Sequence, residues 1–143
     1  MHVQSSRFGE FEIEASRALN FTQCLLGFPH SKTYVVIEVE DSPYIWLQSA
    51  DEPDVAFLAT SPFLFFPEYD LELGDEEQSA LDVADVAQVE VLTLLTVHRS
   101  SDDTAETITA NLLGPIIINT ESRQALQLVL DNPTYSTREL LVA

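Results

Sequence analysis

Residues 44–69 read Tyr-Ile-Trp-Leu-Gln-Ser-Ala-Asp-Glu-Pro-Asp-Val-Ala-Phe-Leu-Ala-Thr-Ser-Pro-Phe-Leu-Phe-Phe-Pro-Glu-Tyr, and they hold seven of the chain's thirteen aromatic side chains, with its only tryptophan. Aromatic side chains bury the most area per residue and dominate cores and interfaces, so the rest of the chain must pack around this stretch. Tyr44 to Ser49 and Val55 to Thr60 are rich in β-branched and aromatic residues and flank the turn formers Ala-Asp-Glu-Pro-Asp, which spells a β-hairpin. Phe63-Leu64-Phe65-Phe66 follows, with Pro62 before it and Pro67 after it. Read as a strand, it turns Phe63 and Phe65 to one side and Leu64 and Phe66 to the other. Either both apolar faces are covered or one is open to a partner. Neither proline can donate to a ladder, so the segment is expected at an edge or in a connection.

The 143 residues suffice for one domain with a genuine core, expected to span 1–143. Apolar residues make up 45%, which argues for a folded chain despite its charge. No apolar run reaches the roughly 18 to 20 residues of a membrane span, and the first residues lack the apolar stretch of a secretory signal. The lone Cys24 cannot close an internal disulfide, so the expected compartment is the cytoplasm.

Charge is the strongest compositional signal. Acidic residues number 24 against 6 basic ones, and between Tyr34 and His98 there are fifteen Asp and Glu without one Lys or Arg. Nucleic acids and anionic membranes demand Lys and Arg near phosphates, so neither is an expected direct partner. A basic protein is the natural complement of a one-signed surface, although acidity also serves solubility alone.

In chain order, Phe8 to Glu14 alternates apolar and acidic residues as a half-solvated strand, with Phe11 and Ile13 inward. The first residues before it are expected to fray. Ala15 to Ser31 has no clean period and reads as a loop that tucks Phe21, Leu25, Leu26 and Phe28 onto the core edge. Thr33 to Val39 is a strand. Tyr69 to Leu73 alternates as a strand with an acidic outer face. Asp75, paired with Gln78, is placed to cap a short helix reaching about Leu81, with Glu76 and Glu77 in its first turn. Val89 to Val97 is a long strand, Arg99 to Glu106 an exposed loop, and Thr107 to Leu113 its returning partner. Ile116 to Ile118 is a β-branched triplet, Asn119 to Ser122 a turn, and Arg123 to Leu130, where helical and strand spacings compete, is read as a strand. Many short strands with turn signals between them make an all-β, single-domain antiparallel barrel or sandwich, with one short helix near 75–81.

Catalytic chemistry finds little material. His2, His30 and His98 lie in a terminus, a loop and a strand end, and Cys24 among Leu25 and Leu26 reads as a buried, inert thiol. No nucleophile elbow and no phosphate-binding glycine loop is present. Asp51-Glu52-Pro53-Asp54 and Asp75-Glu76-Glu77 are dense in carboxylates but lack the loop spacing of a calcium site, so no metal, no cofactor and no catalytic residue is expected. The alternative is a small acidic barrel that binds a small ligand or divalent cation through its carboxylates.

Two long motifs carry a resemblance. Trp46 to Phe57 with Ser61 to Tyr69, and Thr109-Ala110-Asn111-Leu112-Leu113-Gly114-Pro115-Ile116-Ile117-Ile118-Asn119, resemble the flagellar assembly factor FliW family, in register from about Phe8 to Tyr135. The resemblance implies a barrel-like, non-enzymatic cytoplasmic protein. Such proteins bind flagellin before its export and bind the RNA-binding regulator CsrA, relieving its repression of flagellin translation. A basic CsrA surface would meet this chain's net charge of −18 by complementarity. One stretch departs from the family: Phe21-Thr22-Gln23-Cys24-Leu25-Leu26-Gly27-Phe28 lacks two prolines and a glycine of the usual Phe-Pro-Glu-Gly-Leu-Pro-Gly-Phe type loop.

The candidate partner-binding residues are Phe63, Phe66, Glu68, Asp70, Glu72, Asp75, Glu76 and Glu77, an apolar anchor beside a charged rim. Taken singly, each ring of the aromatic run is best read as core. Glu68, Asp70 and Glu72, spaced by two, are expected to share one strand face. Trp46, Pro62, Phe65, Pro67, Asn111, Pro115 and Asn119 are assigned to the motifs as structural residues, the two asparagines by side-chain to backbone hydrogen bonds. A monomer is expected.

Overall fold

The computed structural model of the chain describes residues 1–99 and 106–141. Among these the strands are β1 (His2–Ser5), β2 (Gly9–Glu12), β3 (Leu19–Phe21), β4 (Thr33–Glu38), β5 (Ile45–Ser49), β6 (Ala56–Thr60), β7 (Val89–Arg99), β8 (Glu106–Ala110), β9 (Ile116–Asn119), β10 (Gln124–Gln127) and β11 (Glu139–Leu140), with one α-helix, α1 (Asp75–Ala80). Seven strands close a barrel in the order β3-β4-β5-β6-β7-β9-β10, with β10 returning to β3. Every pairing around it is antiparallel except that last one, where Asn20 and Phe21 run parallel to Gln124 and Ala125.

The long β7 makes closure possible. Its residues Val89 to Leu92 pair with β9, Thr93 to Leu95 with β6, and Leu95 to Arg99 with β8. One strand is thus both a seam of the barrel and the root of a side flap, β8 with β11. Strand alternation then sorts the side chains. Leu19, Phe21, Tyr34, Leu47, Ala59, Leu92, Ile116, Ile118 and Ala125 fill the bore. The outer surface is covered in three places: by β1 and β2 over Val35, by the 71–83 segment over Val91, Ile117, Leu126 and Leu128, and by Tyr69, Phe66, Tyr135 and Leu141 over Ala110 and Leu112. Strand β9 is therefore buried on both faces, which is why Ile116-Ile117-Ile118 lacks alternation.

The barrel, the 44–60 hairpin and the short helix stand where the sequence puts them. Several local readings change. The amino terminus is not frayed: β1 pairs with β2, and the Met1 ammonium donates to the Ile13 carbonyl at 2.8 Å. The expected 15–31 loop contains β3, three residues held by partners on each side. In the departing loop Gly27 takes φ +88, Leu25 is buried and Phe28 meets Phe57 edge-on at 4.8 Å, whereas Leu26 is 71% exposed instead of tucked in. Cys24 is only partly covered, its thiol donating to the Pro29 carbonyl at 3.3 Å. The aromatic run is a 3-10 turn, Pro62–Leu64, not a strand: Pro62 presets φ at the first position, and its carbonyl accepts from Phe65 at 3.2 Å and Phe66 at 2.8 Å. Tyr69 to Leu73 forms no ladder; it is an extended cover with Leu71 and Leu73 turned to the barrel. The helix is capped by Gly74, with Asp75 already helical and Gln78 Nε2 donating to the Leu73 carbonyl at 2.8 Å. The loop expected between β7 and β8 lies outside the described residues.

Tyr34 sits wholly inside, and burial pushes its hydroxyl up to about 12 from an ordinary 10.0. A phenol harder to ionise folded than unfolded favours the fold fully below pH 10.0, and this contribution is lost as pH rises to about 12. Thermal melts across that window should show a falling melting temperature, and Tyr34→Phe should make the fall shallower. A variant as steep as the wild type would refute the assignment to Tyr34.

Candidate functional site

The 62–66 turn leaves β6 and is held from beneath. Thr60 Oγ1 donates to the Pro43 carbonyl at 2.8 Å, fixing the end of the strand, and Phe65 lies parallel to Tyr44 with centroids 6.1 Å apart. Tyr69 anchors the far side: its hydroxyl donates to the Leu112 carbonyl at 2.6 Å and its ring meets Tyr135 at 4.8 Å. Burial drives the Tyr69 hydroxyl well above the ordinary phenol value. The Tyr135 hydroxyl in turn accepts from the Asp70 amide at 2.8 Å. So fastened, the turn pushes Phe63 and Leu64 outward, 44% and 64% exposed, while Phe65 and Phe66 stay half-buried.

Depressions open on both sides of this cover segment. One, of about 410 Å³, runs between it and the residues after α1, with Phe63, Leu71, Leu73, Val83 and Val89 as its apolar wall and Asp70 and Asp85 at its rim. The other, of about 440 Å³, is lined by Phe66, Pro67, Glu68, Tyr135 and Glu139. Phe63 and Phe66 therefore serve different depressions. Glu68, Asp70 and Glu72 share no strand face, because no strand exists there; Glu68 joins Phe66 and Asp70 joins Phe63, and all three are exposed. Asp75 and Glu76 stand exposed in the first turn of α1, where unsatisfied amides favour negative charge. Glu77 curls back until a Cβ on Gly74 would lie 2.6 Å from its Oε2, so its carboxylate sits over the helix start and not out at the rim.

The motif residues are dispersed. Trp46 points to the amino-terminal hairpin, edge-on to Phe8 at 6.0 Å with the Arg7 guanidinium 4.3 Å above its ring. Pro62 is buried and starts the turn, and Pro67 is exposed. Asn111 Oδ1 accepts from the Leu113 amide at 3.2 Å, and the buried Pro115 accepts from Leu128 at 2.8 Å. Asn119 joins β9 to the end of α1, with Nδ2 donating to the Leu81 carbonyl at 2.8 Å. Leu71, Leu73, Val83, Asp85 and Tyr135 escaped the sequence reading as site residues. For Leu71 and Leu73 the signal was present in the alternation, which marks the buried side of a cover as readily as that of a strand.

Among the described residues, no three His, Cys, Asp or Glu side chains converge as metal ligands, and no helix is long and apolar enough to cross a membrane. Fold and surface together define a small closed β-barrel whose outer cover displays apolar rings among carboxylates. The chain belongs to the FliW family: the family model described as FliW protein matches residues 2–141. It is similar to the flagellar assembly factor FliW of Moorella thermoacetica, 41% identical over 142 residues that cover 99% of this chain and 88% of that one. The flagellar assembly factor FliW of Bacillus subtilis is 34% identical over 139 residues, 96% of this chain and 94% of the relative. A crystal structure of the flagellar assembly factor FliW superposes with a TM-score of 0.87 at 31% identity, covering 100% of this chain and 98% of that one.

Proposed function

We propose that this chain is a non-enzymatic regulatory protein of flagellum assembly, working in the cytoplasm as a one-domain monomer that binds flagellin and the translational regulator CsrA. Free protein captures CsrA and relieves repression of flagellin synthesis; accumulating flagellin competes for the protein, releases CsrA and closes the loop. The observation that carries this reading, beside membership of the FliW family, is Phe63 standing exposed on a groove rimmed by Asp70 and Asp85, within a stretch that has no Lys or Arg from Tyr34 to His98. Carboxylates around an apolar anchor steer a basic partner to the surface, and the ring holds it there.

Calorimetric titration with CsrA tests the proposal. Saturable binding that weakens as salt is raised is the expected result, since interactions between exposed charges are screened. The triple exchange Glu68→Lys, Asp70→Lys and Glu72→Lys should weaken it by about a hundredfold, from three reversed charges along the exposed cover segment, with little change in melting temperature. Unchanged affinity in that variant would remove this face from the interface, and absence of binding at low salt would remove CsrA as a partner.

A further inference from the structure

The filling of the bore stops short of one end. There a cavity of about 420 Å³ opens to solvent, within the range of about 300–1,000 Å³ usual for small-molecule sites. Its floor is aliphatic, from Val36, Ile45, Leu92 and Ile118, all packed on the barrel core. Its rim carries both signs of charge. Glu38 and Glu90 stand on the inward-facing register of β4 and β7, in step with Tyr34 and Val36 and with Leu92 and Leu94, at positions where the core pattern calls for apolar residues. Arg17 and Arg123 complete the lining from a 3-10 turn and from the turn after β9.

Arg123 is held in place: its backbone takes φ +64, its Nη2 donates to the Arg17 carbonyl at 3.0 Å, and its Nε is buried without an acceptor. In a chain with 24 acidic residues for 6 basic ones, an arginine finds a carboxylate easily. Yet among the described residues neither Arg17 nor Arg123 forms an ion pair, and neither Glu38 nor Glu90 has a cation. Among the described residues, two cations and two anions line one cavity with an aliphatic floor without pairing across it.

The geometry points to a second binding site at this barrel mouth, for a small aliphatic zwitterion: a carboxylate for Arg17 and Arg123, an ammonium for Glu38 and Glu90, and a branched hydrocarbon body for the floor. The site lies outside the two depressions of the acidic partner face. It touches that face at one place, because Leu64, next to Phe63 in the aromatic turn, lines the same cavity.

Free leucine is the probe, titrated calorimetrically into the whole protein beside leucinamide, which lacks the carboxylate, and 4-methylpentanoate, which lacks the ammonium. The expected result is saturable heat at one leucine per chain, with each truncated probe weaker by about tenfold or more, as the loss of a charged hydrogen bond requires. Arg17→Ala and Glu90→Gln, two exposed side chains outside the core, should each weaken leucine by a similar factor while the melting temperature holds. Absence of saturable heat with leucine, equal binding of leucinamide, or full affinity in both variants would overturn the proposal.

Discussion

Exchanging Asn119 for alanine should lower the unfolding free energy by about 3 kcal/mol in urea titrations, and amide exchange in α1 should quicken before exchange in the barrel does. The side chain is 2% exposed and fully used. Nδ2 donates to the carbonyls of Leu81 at 2.8 Å and Asp82 at 3.4 Å, while Oδ1 accepts from the amides of Glu121 at 2.9 Å and Ser122 at 3.2 Å. Alanine leaves the buried Leu81 carbonyl without this partner, at a cost of about 1–3 kcal/mol for an orphaned buried group, while the part-buried groups of Asp82, Glu121 and Ser122 lose bonds that water replaces only in part. The flanking backbone adds to the cost at Asp82, which takes φ +54 and whose carbonyl Nδ2 also holds. Asn119→Asp separates the two halves: the carboxylate keeps the turn amides but turns an acceptor toward the Leu81 carbonyl, so α1 loosens while the turn holds. A loss below about 1 kcal/mol in the alanine variant would mean that the turn re-forms its bonds elsewhere.

Phe63→Ala should reduce affinity for the proposed basic partner by about thirtyfold to a hundredfold, the range of an aromatic hot spot, and leave the melting temperature within about a degree or two. The ring is 44% exposed and touches Tyr69 with centroids 5.9 Å apart, so little core is lost when it goes. Phe66→Ala has the opposite signature. Its ring packs in the cluster of Tyr69, Ala110 and Leu112, and its removal costs stability more than affinity. If Phe66 governed binding and Phe63 were silent, the partner would sit in the depression of Glu68 and Tyr135 instead.

The two rings show what a linear reading can recover. Residues 44–60 announce their hairpin because the Asp-Glu-Pro-Asp turn and the strands it joins are neighbours in the chain, and so are their hydrogen bonds. Strand β3 does not announce itself. Its three residues owe their conformation to β4 on one side and to β10 on the other, and no local signal reports a partner a hundred residues away. Tyr69 to Leu73 misleads in another way. Its alternation correctly marks Leu71 and Leu73 as buried, but periodicity says which side of a backbone is covered and not whether that backbone is laddered. In the aromatic run four apolar residues imitate a strand, while Pro62 starts a tight turn whose bonds all close within the segment. The candidate face inherits the same split: its acids and Phe63 are visible in the sequence, and the division into two depressions follows only from how the cover folds over the barrel.

The parallel seam between β3 and β10 sets an order of events during synthesis. Asn20 meets Gln124, so on the ribosome the early hairpins can form while the barrel stays an open sheet with bare edges at β3 and at β7. Only when residues 116–127 have cleared the exit tunnel can β9 and β10 slot between those edges and shut the cylinder. Until that moment the nascent chain would carry unpaired strand edges, and its acidic cover, which falls between β6 and β7 in chain order, would give it like-charge repulsion against neighbouring nascent chains.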